Sequence, residues 1–317
     1  MEKSWEKLID GLKRGHIRSL SRLISKVENR DLGWKNAMKE IYPLTGSARV
    51  FGITGSPGAG KSTLTSEIAH ELLDSGYRLG IIAVDPSSPF SGGALLGDRL
   101  RMQKLFTRDD VFIRSMATRG MLGGLCQAAR DVVRILDAFG KDIIIIETVG
   151  VGQDEIEVVR TADVVMVVCI PGQGDGVQAI KAGVMEIADI FVVNKADREG
   201  ADEVVADISA MIELSHASGG AILPVLKTSA LKNEGIKELV TVLINQMNHK
   251  SSHDSKTSQF IKEEILTLME REVFRYVRNQ WDQNDVLDQQ VKQVIDGLND
   301  PYSIVETLMP LTLRGEI

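Results

Sequence analysis

Eight consecutive residues, Gly55-Ser56-Pro57-Gly58-Ala59-Gly60-Lys61-Ser62, leave this 317-residue chain little freedom in choosing its fold. They fit the pattern G-x-x-x-x-G-K-[ST], and Thr63 follows. An apolar run at 50–54 precedes them and a helical pattern at 61–73 succeeds them. The spacing therefore predicts strand, glycine turn and helix, the context a phosphate-binding loop requires. Glycines let backbone N–H groups turn inward around anionic oxygens. The helix N-terminus adds a favourable dipole. Lys61 reaches the β- and γ-phosphates, and the Ser62 hydroxyl is a magnesium ligand in such a loop.

The middle of the chain continues the alternation. Apolar runs stand at 50–54, 79–84, 111–113, 142–147, 164–170, 190–193 and 222–225, with helical patterns such as 61–73, 123–139 and 201–214 between them. Near-continuous apolar strands separated by helices predict an α/β fold of the P-loop NTPase type. Its sheet is mostly parallel and covered by helices on both faces. Functional residues then belong at the carboxyl ends of the strands. Helical extensions flank this core. Trp5, Leu8, Ile9 and Leu12 recur at helical spacing, as do Ile17, Leu20, Leu23, Ile24 and Val27, and then Trp34, Ala37, Met38 and Ile41. After a polar stretch at 248–256, Ile261, Ile265, Leu268, Met269, Tyr276 and Val277 take up the helical period, followed by Val291, Val294, Ile295 and Leu298, and by Ile304, Val305, Leu308 and Met309. The expected organisation is a helical cap at 1–47, a nucleotide-binding domain at 48–248, and a linker with a helical tail at 249–317. So short and apolar a tail must bury its stripe against the sheet domain or against a second copy of the chain.

Composition narrows the classes of partner. Lys and Arg total 37 against 44 Asp and Glu, a net charge of −7, which argues against nonspecific nucleic-acid binding. Hydrophobic residues at 43% and charged residues at 26% exclude a disordered or disulfide-scaffold chain. No apolar run approaches the ~18 residues of a membrane span. The N-terminus lacks the apolar core of a signal peptide and is too acidic for a transit peptide. Cys126 and Cys169 stand apart, without metal-ligand spacing, and are expected as free thiols. These features together predict a cytoplasmic protein without membrane or nucleic-acid partners.

Two further motifs specify the ligand. The run 142–146 ends in Glu147, followed by Thr148-Val149-Gly150. A carboxylate there can hold a magnesium shell. With Gly150 it forms a variant of D-x-x-G, in which the glycine N–H meets the γ-phosphate. Gln153 lies just beyond and is a candidate for orienting water. Asp85 and Asp98 are further acids downstream of the loop helix. They are candidates for magnesium or water activation, or else a turn residue and a helix cap. Asn194-Lys195-Ala196-Asp197 follows the run 190–193 and matches a guanine-reading loop. An ionised aspartate only accepts hydrogen bonds, and guanine offers N1–H and N2–H₂ to it, a pattern adenine lacks. Ser229 and Ala230, after a later strand, are placed to offer a backbone N–H to the guanine oxygen.

In this order, the motifs resemble the MeaB/ArgK group of P-loop GTPases, which includes the human methylmalonic aciduria type A protein and is related to the metal-insertion GTPases. The resemblance rests on Gly55–Thr63, Val84-Asp85-Pro86-Ser87-Ser88 with Gly97-Asp98-Arg99, and Arg114-Ser115-Met116-Ala117-Thr118-Arg119-Gly120. It rests also on Glu147-Thr148-Val149-Gly150-Val151-Gly152-Gln153, Pro171-Gly172-Gln173-Gly174-Asp175 and Asn194–Asp197. It implies slow intrinsic GTP hydrolysis and a homodimer built partly by the C-terminal helices. It also implies a chaperone role toward adenosylcobalamin-dependent acyl-CoA mutases, chiefly methylmalonyl-CoA mutase, gating cofactor loading and protecting the mutase. Lys61, Asp85, Asp98 and Glu147 match the group's phosphate and magnesium positions, and 174–181 matches its mobile switch. Met121 departs from the smaller or more polar residue expected there. Segments 86–98, 150–154 and 172–181 are candidate switches. Two rival readings share the phosphate loop. One is a kinase of lysine/arginine/ornithine transport, which the guanine loop opposes. The other is a nickel-type metal-insertion GTPase, which would need clustered soft ligands. His16, His70 and His216 are scattered, and His249 and His253 lie in the polar stretch.

Overall fold

The computed structural model describes residues 2–85, 105, 108–117, 124–148, 150, 159, 161–172, 187–217, 223–249, 255–283 and 286–314. Asp98, Met121, Gln153 and segment 86–98 lie outside the described residues, as does most of 150–154 and 172–181. For Asp85 the backbone alone is described. The chain divides into two compact units, Met1–His249 and Lys250–Ile317.

The first unit opens with three helices, α1 (Glu2–Lys13), α2 (Ile17–Glu28) and α3 (Trp34–Ile41). The strands are β1 (Arg49–Gly55), β2 (Leu79–Asp85), β3 (Val111–Ala117), β4 (Ile143–Thr148), β5 (Val164–Cys169), β6 (Ile190–Val193) and β7 (Val225–Lys227). Helices α4 (Lys61–Asp74), α5 (Gly124–Ala138), α6 (Ala201–Ala217) and α7 (Ile236–His249) complete the unit. All seven strands are parallel, in the order β3-β2-β4-β1-β5-β6-β7. The expected strands recur with two shifts. β3 extends to Ala117 because it pairs with β2 along its whole length. The last strand begins at Val225 rather than at 222, because Pro224 has no N–H for the ladder and serves only as acceptor to Phe191.

The isoleucine run of β4 shows why these strands are apolar throughout. Ile143 and Ile145 face one side, where Leu64, Ile68 and Leu72 of α4 and Leu239 and Leu243 of α7 cover the sheet. Ile144 and Ile146 face the other, against α5 and the N-terminal helices. Helix α6 covers β5 and β6 through Ile208 and Ile212. The N-terminal helices are pinned by charge as well as by packing. Arg30 bonds the buried Asp131 of α5 at 2.6 Å, and Arg114 of β3 pairs with Glu28.

The second unit contains α8 (Ser255–Gln283), α9 (Val286–Ile295) and α10 (Pro301–Arg314). The Trp281 indole N–H donates to Thr312 Oγ1 at 2.6 Å, joining α8 to α10. Ile265, Met269, Phe274, Ile295, Leu298 and Tyr302 are exposed. Among the described residues, no helix is long and apolar enough to cross a membrane.

Candidate nucleotide site

The three motifs converge at the carboxyl ends of β1, β4 and β6. Gly55 ends β1 with φ +145°, and a Cβ there would stand 2.2 Å from the Val168 carbonyl oxygen of β5, so only glycine fits. Gly60, at φ +84°, caps α4 and lies against the Asn194 side chain, 2.7 Å from where its Cβ would be. The first N–H groups of α4 have no acceptor within the helix, which is what makes a helix N-terminus suited to an anion. Lys61 is buried, and its Nζ donates to the carbonyls of Gly55 at 2.7 Å and Ser56 at 2.9 Å. The cation thus lies across the loop it opens from.

Glu147, only 6% exposed, is brought to α4 because Ile53 of β1 is its neighbour in the ladder. The Ser62 hydroxyl donates to Glu147 Oε1 at 2.5 Å. A hydroxyl beside a carboxylate is an all-oxygen donor set, which suits a hard cation such as magnesium. The backbone of Asp85, at the end of β2, pairs with Ala117.

The base loop is bonded to the phosphate loop. Asn194 Nδ2 donates to the Ala59 carbonyl at 2.9 Å, while its Oδ1 accepts from the Ala230 N–H and the Thr228 hydroxyl, each at 3.2 Å. Lys195 adopts the left-handed conformation at φ +57°, and its Nζ donates to the Gly58 carbonyl at 2.7 Å. Asp197 Oδ1 accepts from the Ser229 hydroxyl at 2.8 Å. That bond, with weaker help from Lys232 and Arg198, holds the Asp197 carboxyl below its ordinary range. An exposed, ionised acceptor therefore projects from a buried polar frame. Of the residues named from sequence, the structure brings together Gly55–Ser62, Glu147, Asn194, Lys195, Asp197, Ser229 and Ala230. Gly150 joins them through Thr54 and Thr148, to which the motifs assign no role of their own. Threonine near the ends of otherwise aliphatic strands was the available signal. A separate cleft of about 480 Å³, lined by Arg49, Arg78, Asp137, Lys141 and Met247 among others, opens at the opposite ends of the strands and holds none of these residues.

A parallel sheet bearing a phosphate loop and a guanine-reading loop at its carboxyl edge defines a P-loop GTPase. A profile described as Methylmalonyl Co-A mutase-associated GTPase MeaB matches residues 20–282. A Pyrococcus abyssi protein bearing a GTPase name is 44% identical over 316 residues, 98% of this chain and 97% of its own. The mitochondrial methylmalonic aciduria type A homolog of Mus musculus is 39% identical over 59% of this chain and 46% of its own. The crystal structure of an LAO/AO transport system kinase superposes with a TM-score of 0.72 at 26% identity, covering 98% of both chains. The chain belongs to the MeaB family of GTPases.

Proposed function

We propose that this GTPase is a nucleotide-switched chaperone for an adenosylcobalamin-dependent acyl-CoA mutase of the methylmalonyl-CoA type, gating cofactor loading and protecting the enzyme. The observation that carries the reading is the match of residues 20–282 to a family described by its association with that mutase. The name of the mouse relative points the same way.

In this reading, Lys61 and the backbone of Gly55–Thr63 hold the phosphates. Asn194, Lys195, Asp197, Ser229 and Ala230 hold guanine. Gly150 N–H senses the γ-phosphate, and Asp98 or Gln153 positions water. Ser62 and Glu147, with Asp85 and Asp98, would hold magnesium. Bound there, the ion supplies positive charge to the phosphate oxygens. The chain's own contribution is positioning and charge neutralisation, led by Lys61. The exposed apolar side chains of α8 to α10 support a symmetric homodimer formed through the second unit. A chain ending at His249 that stays dimeric in light scattering refutes that placement.

The kinase named for the superposed structure is the alternative. Guanine selectivity and a response to mutase separate the two. Calorimetry should show GTP and GDP bound far more tightly than ATP, and purified mutase should change GTP turnover or nucleotide affinity. Equal affinity for ATP and GTP rejects the base site. Native turnover and affinity in the presence of every candidate mutase reject the chaperone role.

A further inference from the structure

Thr54 near the end of β1 and Thr148 at the end of β4 are both 0% exposed. Thr54 Oγ1 donates to the Gly150 carbonyl oxygen at 2.9 Å. Thr148 Oγ1 stands 3.1 Å from that same oxygen, 3.1 Å from Thr54 Oγ1 and 3.4 Å from the Ile53 carbonyl oxygen. Two hydroxyl protons therefore serve a cluster whose carbonyl has two lone pairs. If Thr148 donates to Thr54 or to Ile53 instead, Thr54 still donates to Gly150. In each arrangement the Gly150 carbonyl is held against the floor of the sheet.

That floor is itself tied down. Gly55, the next residue after Thr54, has its carbonyl held by Lys61 and abuts the Val168 backbone. The start of the phosphate loop and Gly150 thus meet at one buried polar cluster, although Thr54 and Gly150 are 96 residues apart. A buried hydroxyl without a partner is costly, and valine would suit these aliphatic strands as well in shape. The carbonyl they hold accounts for two threonines meeting at this point.

We propose that Thr54 and Thr148 are positioning residues for GTP hydrolysis: by holding the Gly150 carbonyl they fix the residue whose N–H is assigned to the third phosphate, so that the protein distinguishes it from a second. This rests on the assignment of Gly150 to the γ-phosphate made above. Thr54→Val removes the donor and keeps the branched shape; Thr54→Ser keeps the donor. Each variant is tested with fluorescent GDP, a non-hydrolysable GTP analogue, and single-turnover hydrolysis at saturating GTP. Thr54→Val should lose about three- to tenfold in analogue affinity, as expected for one hydrogen bond, and a similar factor in rate. Its GDP affinity should stay native, and Thr54→Ser should recover most of the loss. Thr148→Val should shift in the same direction by less, and it carries the test if Thr54→Val does not fold. Equal losses for GDP and analogue, lowered thermal stability at native rate, or no rescue by serine would overturn the proposal. Gly150→Pro, which removes the N–H assigned to the γ-phosphate and keeps the carbonyl the threonines hold, separates it from its premise. A native analogue-to-GDP ratio there overturns the γ-phosphate assignment and the positioning role with it. A lowered ratio there, beside native ratios in both threonine variants, overturns the positioning role alone.

Discussion

Replacing Asn194 with alanine should unfold the first unit far more easily even with no nucleotide present. The side chain is 2% exposed and makes three bonds, to the Ala59 carbonyl, the Ala230 N–H and the Thr228 hydroxyl. A buried hydrogen bond contributes about 1 kcal/mol net, so the three together contribute about 3 kcal/mol. The groups left behind differ in what they can recover. The Thr228 hydroxyl can rotate to another acceptor. The Ala230 N–H is fixed by its backbone and is left unpaired at a cost of about 1–3 kcal/mol in place of its share. The expected loss is therefore about 3–5 kcal/mol, a hundredfold or more in the folding equilibrium. Urea unfolding should be followed by tryptophan fluorescence in a Trp281→Phe background, so that Trp5 and Trp34 report the first unit alone. Asp197→Ala is the control: it gives up one hydrogen bond, from the Ser229 hydroxyl, so it should cost only about 1 kcal/mol while losing guanine nucleotide affinity. An Asn194→Ala protein within about 1 kcal/mol of its parent would refute the claim that this residue ties the base loop to the phosphate loop.

Arg30→Ala leaves the Asp131 carboxylate buried, with Arg134 at 3.8 Å and Gln127 as its remaining partners, and should cost about 3 kcal/mol at neutral pH. Burial holds the Asp131 pKa above the unfolded value, against the pull of Arg30, and removing Arg30 raises it further. The folded state then binds the proton more readily, so chemical denaturation should show the variant's deficit shrinking as pH falls toward the carboxylate range. Ser229→Ala removes the main cause of the lowered Asp197 pKa. The native protein should keep its GDP affinity below the ordinary aspartate range, and the variant should lose it at higher pH, as read by calorimetry across a pH series. Burial pushes the Cys169 thiol up to about 12. In a Cys126→Ala background the native protein should resist iodoacetamide at pH 8, and mass spectrometry should find Cys169 alkylated only after denaturation.

The sequence by itself determined what depends on neighbours along the chain. A glycine loop between an apolar strand and a helix requires no distant partner to be legible, and the loop at Asn194 is read by the same local logic. The isoleucine run of β4 announced burial on both faces before its two covering layers were known. Which strands lie side by side was another matter. β4 is inserted between β2 and β1, and nothing in its periodicity states that order. That insertion puts Glu147 beside Ser62, 85 residues away, and Thr148 beside Thr54. The reach of Asn194 back to Ala59 spans 135 residues. Lys195 likewise takes a left-handed turn, for which lysine has no intrinsic preference, where its amine meets the Gly58 carbonyl. Hydrogen bonds of this kind act over about 3 Å, whereas sequence patterns record only the period of burial along one element. Local pattern could therefore name candidate residues for the nucleotide site, but only the stacking of strands decided which of them touch.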